Sequence, residues 1–147
     1  MSAAGPVMTT DELNEFLAAE FPQVRNDFLV EEVRQMGVRV RLKVEDKHLR
    51  PGGTVSGPTM FALADVAVYL GVLGMIGPKG LAVTTNCSMD FMRKPAAATD
   101  LVADCTILKL GRVLAVGDVM IRSDGQEAPV ARATMTYSIP PERAPQG

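Results

Sequence analysis

The stretch from Gly52 to Gly77 constrains the fold most, because it is almost wholly apolar and contains a single charged residue, Asp65. A helix with no polar stripe is either buried in a protein core or spans a membrane. A mid-helix aspartate in a membrane span costs about 2.5–3.5 kcal/mol even on mild scales. Most of the remaining chain has strand-like patterns. We therefore predict a buried helix in a soluble protein, which needs a sheet to cover it.

The ends of this helix can be placed from local signals. Ser56 or Gly57 is a suitable N-cap, and Pro58 suits the first turn because its missing N–H would have no helical acceptor there. No proline interrupts the run from Thr59 to Met75. These signals predict one long helix that begins at about residue 57 and ends before Gly77.

Around this helix the sequence predicts one more helix and an antiparallel sheet. Thr9 and Glu12 have capping-box spacing, which predicts a short amphipathic helix from Thr9 to Phe21. Strand-like segments cover about residues 28–36, 37–45, 81–93, 100–110, 112–123 and 128–139. Turn signals between them, such as Asp124-Gly125, favour hairpins. This order predicts a single α+β domain over residues 1–147 that matches the hotdog fold, with disordered tails at 1–8 and 140–147.

Composition excludes several classes of function. The 147 residues carry a net charge of −2 and no basic cluster, which argues against a nucleic-acid partner. The N-terminal residues show no signal-peptide pattern. Cys87 and Cys105 lack metal-ligand spacing, so we expect free buried thiols in a reducing cytoplasm and no metal site. Because the one apolar run is predicted to be a buried helix, we also expect no membrane partner.

Two features of the central helix could support chemistry. Asp65 is either an inert, hydrogen-bonded structural carboxylate or an acid or base. At the helix start, the backbone N–H of Gly57 lies at the positive end of the helix dipole and suits a carbonyl oxygen or an oxyanion. The alternative for Gly57 is an ordinary capped helix. Its missing side chain would let a ligand approach closely.

The spacing of these two residues predicts an assembly. Gly57 and Asp65 are eight residues apart in the sequence. At 1.5 Å per residue they are separated by about 12 Å along the helix, so they cannot both contact one substrate atom. If both act in one site, Asp65 must come from a second chain whose helix runs in the opposite direction, as in a two-fold symmetric dimer.

Four short motifs carry a resemblance to a known family. Residues 53–58 (GTVSGP), 63–65 (LAD), 90–95 (DFMRKP) and 111–112 (GR) resemble those of the hotdog acyl-CoA thioesterases of the phenylacetate-degradation type. The resemblance spans about residues 50–138. It implies hydrolysis of an acyl-CoA thioester to a free acid and coenzyme A without a metal or redox cofactor. It also implies a homodimer, with dimers paired into a dimer of dimers.

The resemblance assigns roles to individual residues. It implies that Asp65 is the catalytic carboxylate, acting as general base or nucleophile, and that the N–H of Gly57 polarises the thioester carbonyl. Thr84 corresponds to a serine that holds the water in some members, although Thr85 takes that place if the alignment shifts by one residue. Arg50 and Ser56 stand where the family has Asn and His.

Several further residues are candidates for substrate binding. Arg50 could pair with a carboxylate or a coenzyme A phosphate, and Ser56 adjoins the oxyanion position. The other candidate phosphate contacts lie near strand ends, and they are Arg93, Lys94, Lys109 and Arg112. Each could equally be part of a solvated rim. We expect the only histidine, His48, at the surface.

Two alternatives to a thioesterase remain open at this point. One is a non-catalytic protein that binds acyl-CoA or an acyl-carrier protein. The other is a hotdog dehydratase, which is disfavoured because such enzymes use a histidine in the pocket.

Overall fold

The computed structural model describes residues 5–78 and 82–141. Its helices and strands are α1 (Thr10–Glu20), β1 (Phe28–Arg34), β2 (Gly37–Leu42), α2 (Gly57–Ile76), β3 (Val83–Phe91), β4 (Leu101–Leu110), β5 (Leu114–Ser123) and β6 (Pro129–Ser138). Short 3₁₀ turns occur at Pro22–Val24 and Asp46–His48. The predicted order of elements is confirmed, and each of the six strands is one to four residues shorter than predicted.

The strands form one antiparallel sheet in the order β1-β2-β4-β5-β6-β3. The crossover between β2 and β3 is the long helix α2, which packs on one face of this sheet and contacts all six strands. An antiparallel sheet with one long helix on it is the predicted α+β hotdog architecture, which is confirmed.

Helix α2 is the buried core of the fold, as predicted. By length and hydropathy it could cross a membrane, but 61% of its apolar window is buried inside the protein. Its close approach to the sheet depends on glycines on both sides. A Cβ atom on Gly117 of β5 would lie 2.9 Å from Val68, and one on Gly71 would lie 3.1 Å from Ile107. Side chains at these two positions would push the helix off the sheet.

The start of α2 is capped as predicted, with Ser56 as the N-cap. Its Oγ accepts a hydrogen bond from the N–H of Thr59 (3.3 Å) and lies 2.8 Å from the Thr59 hydroxyl. Pro58 occupies the first turn, where no N–H is needed.

The N-terminal segment is ordered further towards its start than predicted. The predicted disordered tail included residues 7 and 8, but the N–H groups of Val7 and Met8 lie 2.7 and 3.4 Å from the carbonyl oxygen of Gly74, and Met8 is buried. Within the helix that oxygen would accept from residue 78, which is a proline and has no N–H. The incoming chain satisfies it instead. Residues 1–4 and 142–147 of the two predicted tails lie outside the described residues.

His48 is buried rather than exposed, so the expectation of a surface residue was wrong. Its Nδ1 accepts a hydrogen bond from the N–H of Glu45 at 2.9 Å, and its Nε2 lies 3.5 Å from a carboxylate oxygen of the buried Asp27. Its carbonyl oxygen accepts from the N–H of Ser56. His48 therefore supports the loop before α2.

The two cysteines differ from each other. Cys105 is buried, as predicted, and burial raises the pKa of its thiol to about 12. Cys87 is exposed on β3, so the prediction that both thiols are buried was wrong for this one.

Candidate active site

The carboxylate of Asp65 is held in place by two hydroxyl groups. Thr84 Oγ1 on β3 donates to its Oδ1 at 2.5 Å, and the Tyr137 hydroxyl on β6 donates to the same oxygen at 2.7 Å. The Tyr137 hydroxyl also lies 3.0 Å from the backbone carbonyl oxygen of Asp65. Of the two threonines considered from the sequence, Thr84 is the one beside Asp65, whereas Thr85 Oγ1 bonds to the carbonyl of Thr136.

A cavity of about 330 Å³ opens beside this carboxylate. Its apolar walls come from α1, the turn after it, α2 and the start of β3, and they are Leu17, Phe21, Val24, Val66, Tyr69, Ala82 and Val83. Asp65, Thr84 and Tyr137 supply the polar part of the lining. An apolar pocket with a few converging polar groups is typical of small-molecule sites.

Tyr137 was missed from the sequence. It lies at an inward-facing position of β6, is 3% exposed, and packs against Tyr69 with ring centroids 6.0 Å apart. Burial raises the pKa of its phenol well above the usual value, and the neighbouring Asp65 carboxylate raises it further. Tyr137 is therefore a neutral hydrogen-bond donor near pH 7. Tyr137 belongs to the predicted strand 128–139, but nothing in the sequence linked it to Asp65.

Thr84 reaches the helix side of the sheet because β3 contains a bulge. Simple alternation along β3 puts Thr84 on the face opposite Phe91, but the register with β6 shifts between Thr84 and Asn86. A bulge adds one residue to a strand and reverses the facing of the residues after it. Thr84 then contacts Asp65, while Phe91 lies against the start of the same helix, 3.5 Å from where a Cβ of Gly57 would be.

The helix start presents one free backbone donor. In the first turn Pro58 has no N–H, the N–H of Thr59 is bonded to Ser56 Oγ, and that of Met60 is bonded to the Ser56 carbonyl. No described residue accepts from the N–H of Gly57. Gly57 is thus the residue at which an external oxygen could be bound.

The charged candidates fall at both ends of α2. Arg50 lies in the loop before the helix, where its N–H bonds to the Thr54 carbonyl, and its side chain is exposed. Arg93 and Lys94 follow β3 near the helix start, and the Arg93 guanidinium donates to the carbonyl of Pro129. Arg112 lies at the opposite end, in the β4–β5 turn, where it lines a second cavity with Ile76. One protomer therefore does not bring Arg112 to Gly57.

Asp65 and Gly57 are also separate within one protomer. Both belong to the straight run of α2, so the distance of about 12 Å along its axis applies. Among residues 5–78 and 82–141, no group of three or more His, Cys, Asp or Glu side chains is placed to hold a metal ion.

Comparisons with known proteins support the fold. A proposed thioesterase from Silicibacter sp. TM1040 is 55% identical, with a TM-score of 0.87 over 92% of this chain and 94% of that one. A variant of the phenylacetic acid degradation protein PaaI from Thermus thermophilus is 29% identical, with a TM-score of 0.68 over 80% of this chain and 97% of that one. Zebra fish thioesterase superfamily member 2, at 20% identity, shares the fold with a TM-score of 0.81 over 90% and 99%.

A search of curated proteins gives no match. The family model described as the thioesterase superfamily matches residues 52–130, which is more than half of the chain and includes both Gly57 and Asp65. The chain therefore belongs to the thioesterase superfamily, a family of thioester hydrolases of the hotdog fold.

Proposed function

We propose that this protein is a cytoplasmic acyl-CoA thioesterase that hydrolyses an acyl-CoA to a free acid and coenzyme A. The observation that carries the proposal is the Asp65 carboxylate, fixed by Thr84 and Tyr137 at the wall of an apolar cavity. An ionised carboxylate is costly beside apolar walls, and one positioned by two hydroxyl groups is suited to act on a substrate.

The cavity takes the acyl group. Its walls are the aliphatic and aromatic side chains of α1 and α2, and its volume of about 330 Å³ is sufficient for a short, medium or aromatic acyl chain. The thioester then lies at the cavity mouth beside Asp65, and coenzyme A extends outwards. A carrier protein would present the same thioester group, so assays need both carriers.

The reaction needs one group to activate the attacking atom and one to stabilise the oxygen of the thioester. Asp65 acts as general base towards water or as nucleophile towards the thioester carbon. The Gly57 N–H donates to the carbonyl oxygen, which gains negative charge in the tetrahedral transition state. These steps use water and the protein's own groups, without a cofactor.

The site is shared between two copies of the chain. Because Gly57 and Asp65 are about 12 Å apart on one helix, the N–H that meets the substrate at Asp65 comes from a second copy. Strand β3 forms one edge of the sheet, and its Val83 and Phe91 are 56% and 55% exposed. A second copy of β3 would pair with this edge and run α2 antiparallel to its counterpart. Two such dimers would then form the dimer of dimers.

The basic residues near the helix start bind the coenzyme A phosphates in this proposal. Arg50, Arg93 and Lys94 are exposed there, and Arg50 replaces the family's Asn. Ser56 contributes little to substrate binding, because its hydroxyl already caps α2. Arg112 can contact substrate only if another copy of the chain brings it to the site.

The test is thiol release from short, medium and aromatic acyl-CoAs by the purified protein and by two variants. Asp65→Asn should reduce kcat by about 10³-fold or more, as loss of an essential base or nucleophile does. Glu127→Gln removes one carboxylate from the exposed β5–β6 turn and should leave the rate unchanged. Equal rates for the wild type and Asp65→Asn would refute a catalytic role for Asp65.

The second candidate is a non-catalytic protein that binds acyl-CoA or acyl-carrier protein. The observation in its favour is the helix start, where Ser56 replaces the family's His and uses its hydroxyl as a cap, so Gly57 supplies the one free donor of the first turn in the described structure. Saturable acyl-CoA binding by calorimetry with no thiol release would support this candidate. A dehydratase is disfavoured further, because His48 is bonded within the loop and does not line the Asp65 cavity.

A further inference from the structure

The two hydroxyl groups on Asp65 converge on one carboxylate oxygen. Both Thr84 Oγ1 and the Tyr137 hydroxyl lie within hydrogen-bond distance of Oδ1, at 2.5 and 2.7 Å. No described residue donates to Oδ2. Within the described residues the two oxygens of this carboxylate are therefore not equivalent: Oδ1 accepts from two hydroxyl groups, and Oδ2 accepts from none.

The Tyr137 hydroxyl has one proton and two acceptors within reach. The carboxylate oxygen is charged and lies at 2.7 Å, whereas the neutral backbone carbonyl lies at 3.0 Å. Hydrogen bonds to a charged acceptor are shorter and stronger, so the proton goes to Oδ1. Thr84 donates its single proton to the same oxygen, and together the two donors fix both the position and the rotation of the carboxylate.

We propose that Tyr137 is a positioning residue which, together with Thr84, turns Asp65 so that Oδ2 is the oxygen that faces the substrate. This inference rests on the proposed thioester hydrolysis. Tyr137 does not touch the substrate in this account. It acts by holding Oδ1, so its loss lets the carboxylate rotate and weakens the stabilisation of its ionised form.

The ionisable groups around Asp65 decide which group the pH dependence of activity reports on. Tyr137 on β6 and Thr84 on β3 contact Asp65 directly. Tyr69 lies one turn further along α2, and the Asp65 charge acts on the Cys87 thiol of β3. Burial raises the pKa of both phenols, so Tyr137 and Tyr69 are neutral near pH 7. Partial desolvation and the Asp65 charge raise the pKa of the exposed Cys87 thiol. The acid limb of activity therefore reports on Asp65.

The experiment compares Tyr137→Phe with Tyr69→Phe, a matched control. Both changes remove one hydroxyl from neighbouring rings in the same cavity, but the Tyr69 hydroxyl has no hydrogen-bond partner in the described structure. Tyr137→Phe should reduce kcat about tenfold with a change in KM below about twofold. It should move the acid limb of the kcat–pH profile to higher pH, because one donor to the charged form of Asp65 is lost. Tyr69→Phe should leave the limb in place.

A second readout does not depend on turnover. With ¹³C-carboxyl-labelled aspartate, the Asp65 resonance is assigned by its loss in Asp65→Asn, and its pH midpoint is measured by NMR. The midpoint should be higher in Tyr137→Phe and unchanged in Tyr69→Phe. A shifted midpoint in a protein without thioesterase activity would support the role of Tyr137 in holding Oδ1 and would refute the proposed function.

Thr84→Val covers the case in which Tyr137→Phe does not fold. It removes the other donor from an edge strand while keeping the side-chain shape, and it should also raise the midpoint. The inference is overturned if the midpoint and the acid limb stay in place in whichever of these variants fold.

Discussion

The two edge strands of the sheet, β1 and β3, differ in whether other groups of the chain occupy their outer backbone hydrogen-bonding groups. At β1, the Asn14 side chain of α1 bonds both to the N–H of Val30 (2.9 Å) and to its carbonyl oxygen (3.1 Å), and the β1–β2 register shifts between Val30 and Glu32. At β3, the strand runs for nine residues and most of its side chains are exposed. Both edge strands contain a bulge, so the difference lies in the Asn14 side chain, which occupies edge groups of β1 and thereby hinders strand addition. We therefore call β1 the closed edge, because a second copy of the chain cannot readily pair with it, and β3 the open edge, because a second copy can.

The same contrast connects the fold with the candidate site. The open edge carries Thr84 beside Asp65 at one end and Phe91 beside Gly57 at the other. A second copy that pairs with β3 therefore arrives next to both halves of the proposed site. Changes at the open edge should affect assembly and activity together, and changes at the closed edge should affect only stability.

The largest effect is expected from two charges on the open edge, in the variant Asn86→Lys with Ser88→Lys. If two copies of β3 pair antiparallel about their middle, residue 86 of one copy lies opposite residue 88 of the other, so lysines face lysines across the pair. Dimer affinity should fall by about 10²-fold or more, and activity should fall with it. Sedimentation velocity at micromolar concentration and thiol release measure the two effects.

The matched control for this variant is Leu29→Lys on the closed edge, which should remain a dimer with normal turnover. A doubly substituted protein that stays dimeric and active would show that β3 is not the interface.

An intermediate effect is expected at the closed edge from Asn14→Ala. It removes two hydrogen bonds to the backbone of Val30 and should lower the free energy of unfolding by about 1–2 kcal/mol. Urea unfolding measures this change. Dimer affinity and kcat should not change, and loss of either would mean that the two edges are not independent.

The smallest effect is expected from Asp124→Asn. The Arg41 guanidinium lies 2.8 Å from Asp124 on the side of the sheet near β1, and it holds the pKa of that carboxyl below its usual value. A lowered folded-state pKa stabilises the fold above about pH 4, and this stabilisation is lost as the pH falls through the folded-state value. The variant should melt slightly below the wild type at pH 7 and together with it near pH 2. An undiminished difference at pH 2 would contradict this account.

The fold could be predicted from the sequence to a large extent. The apolar run from residue 57, its Ser56 cap, the capping box of α1 and the alternation of the strands each have a local physical cause. The burial of Met8 could not be foreseen, because it depends on the Gly74 carbonyl left unbonded by Pro78. His48 was misplaced for a similar reason, since its buried partner Asp27 is distant in sequence.

The candidate site could be predicted only in part. Asp65 and Gly57 were found because one is an isolated charge and the other begins a helix. Tyr137 could not be found, since its hydroxyl meets Asp65 across 72 positions of the sequence. The position of Thr84 came from the family resemblance, whereas alternation alone could not show that a bulge turns it towards the helix.

The central claim, that one active site uses Asp65 and Gly57 from different chains, is tested most directly by mixing two inactive proteins. Asp65→Asn lacks the carboxylate, and Gly57→Val blocks approach to the N–H. Heterodimers purified with two different affinity tags contain one intact site of two if the site is shared. The account predicts that they regain about half of wild-type kcat per dimer. Heterodimers as inactive as their parents would contradict it.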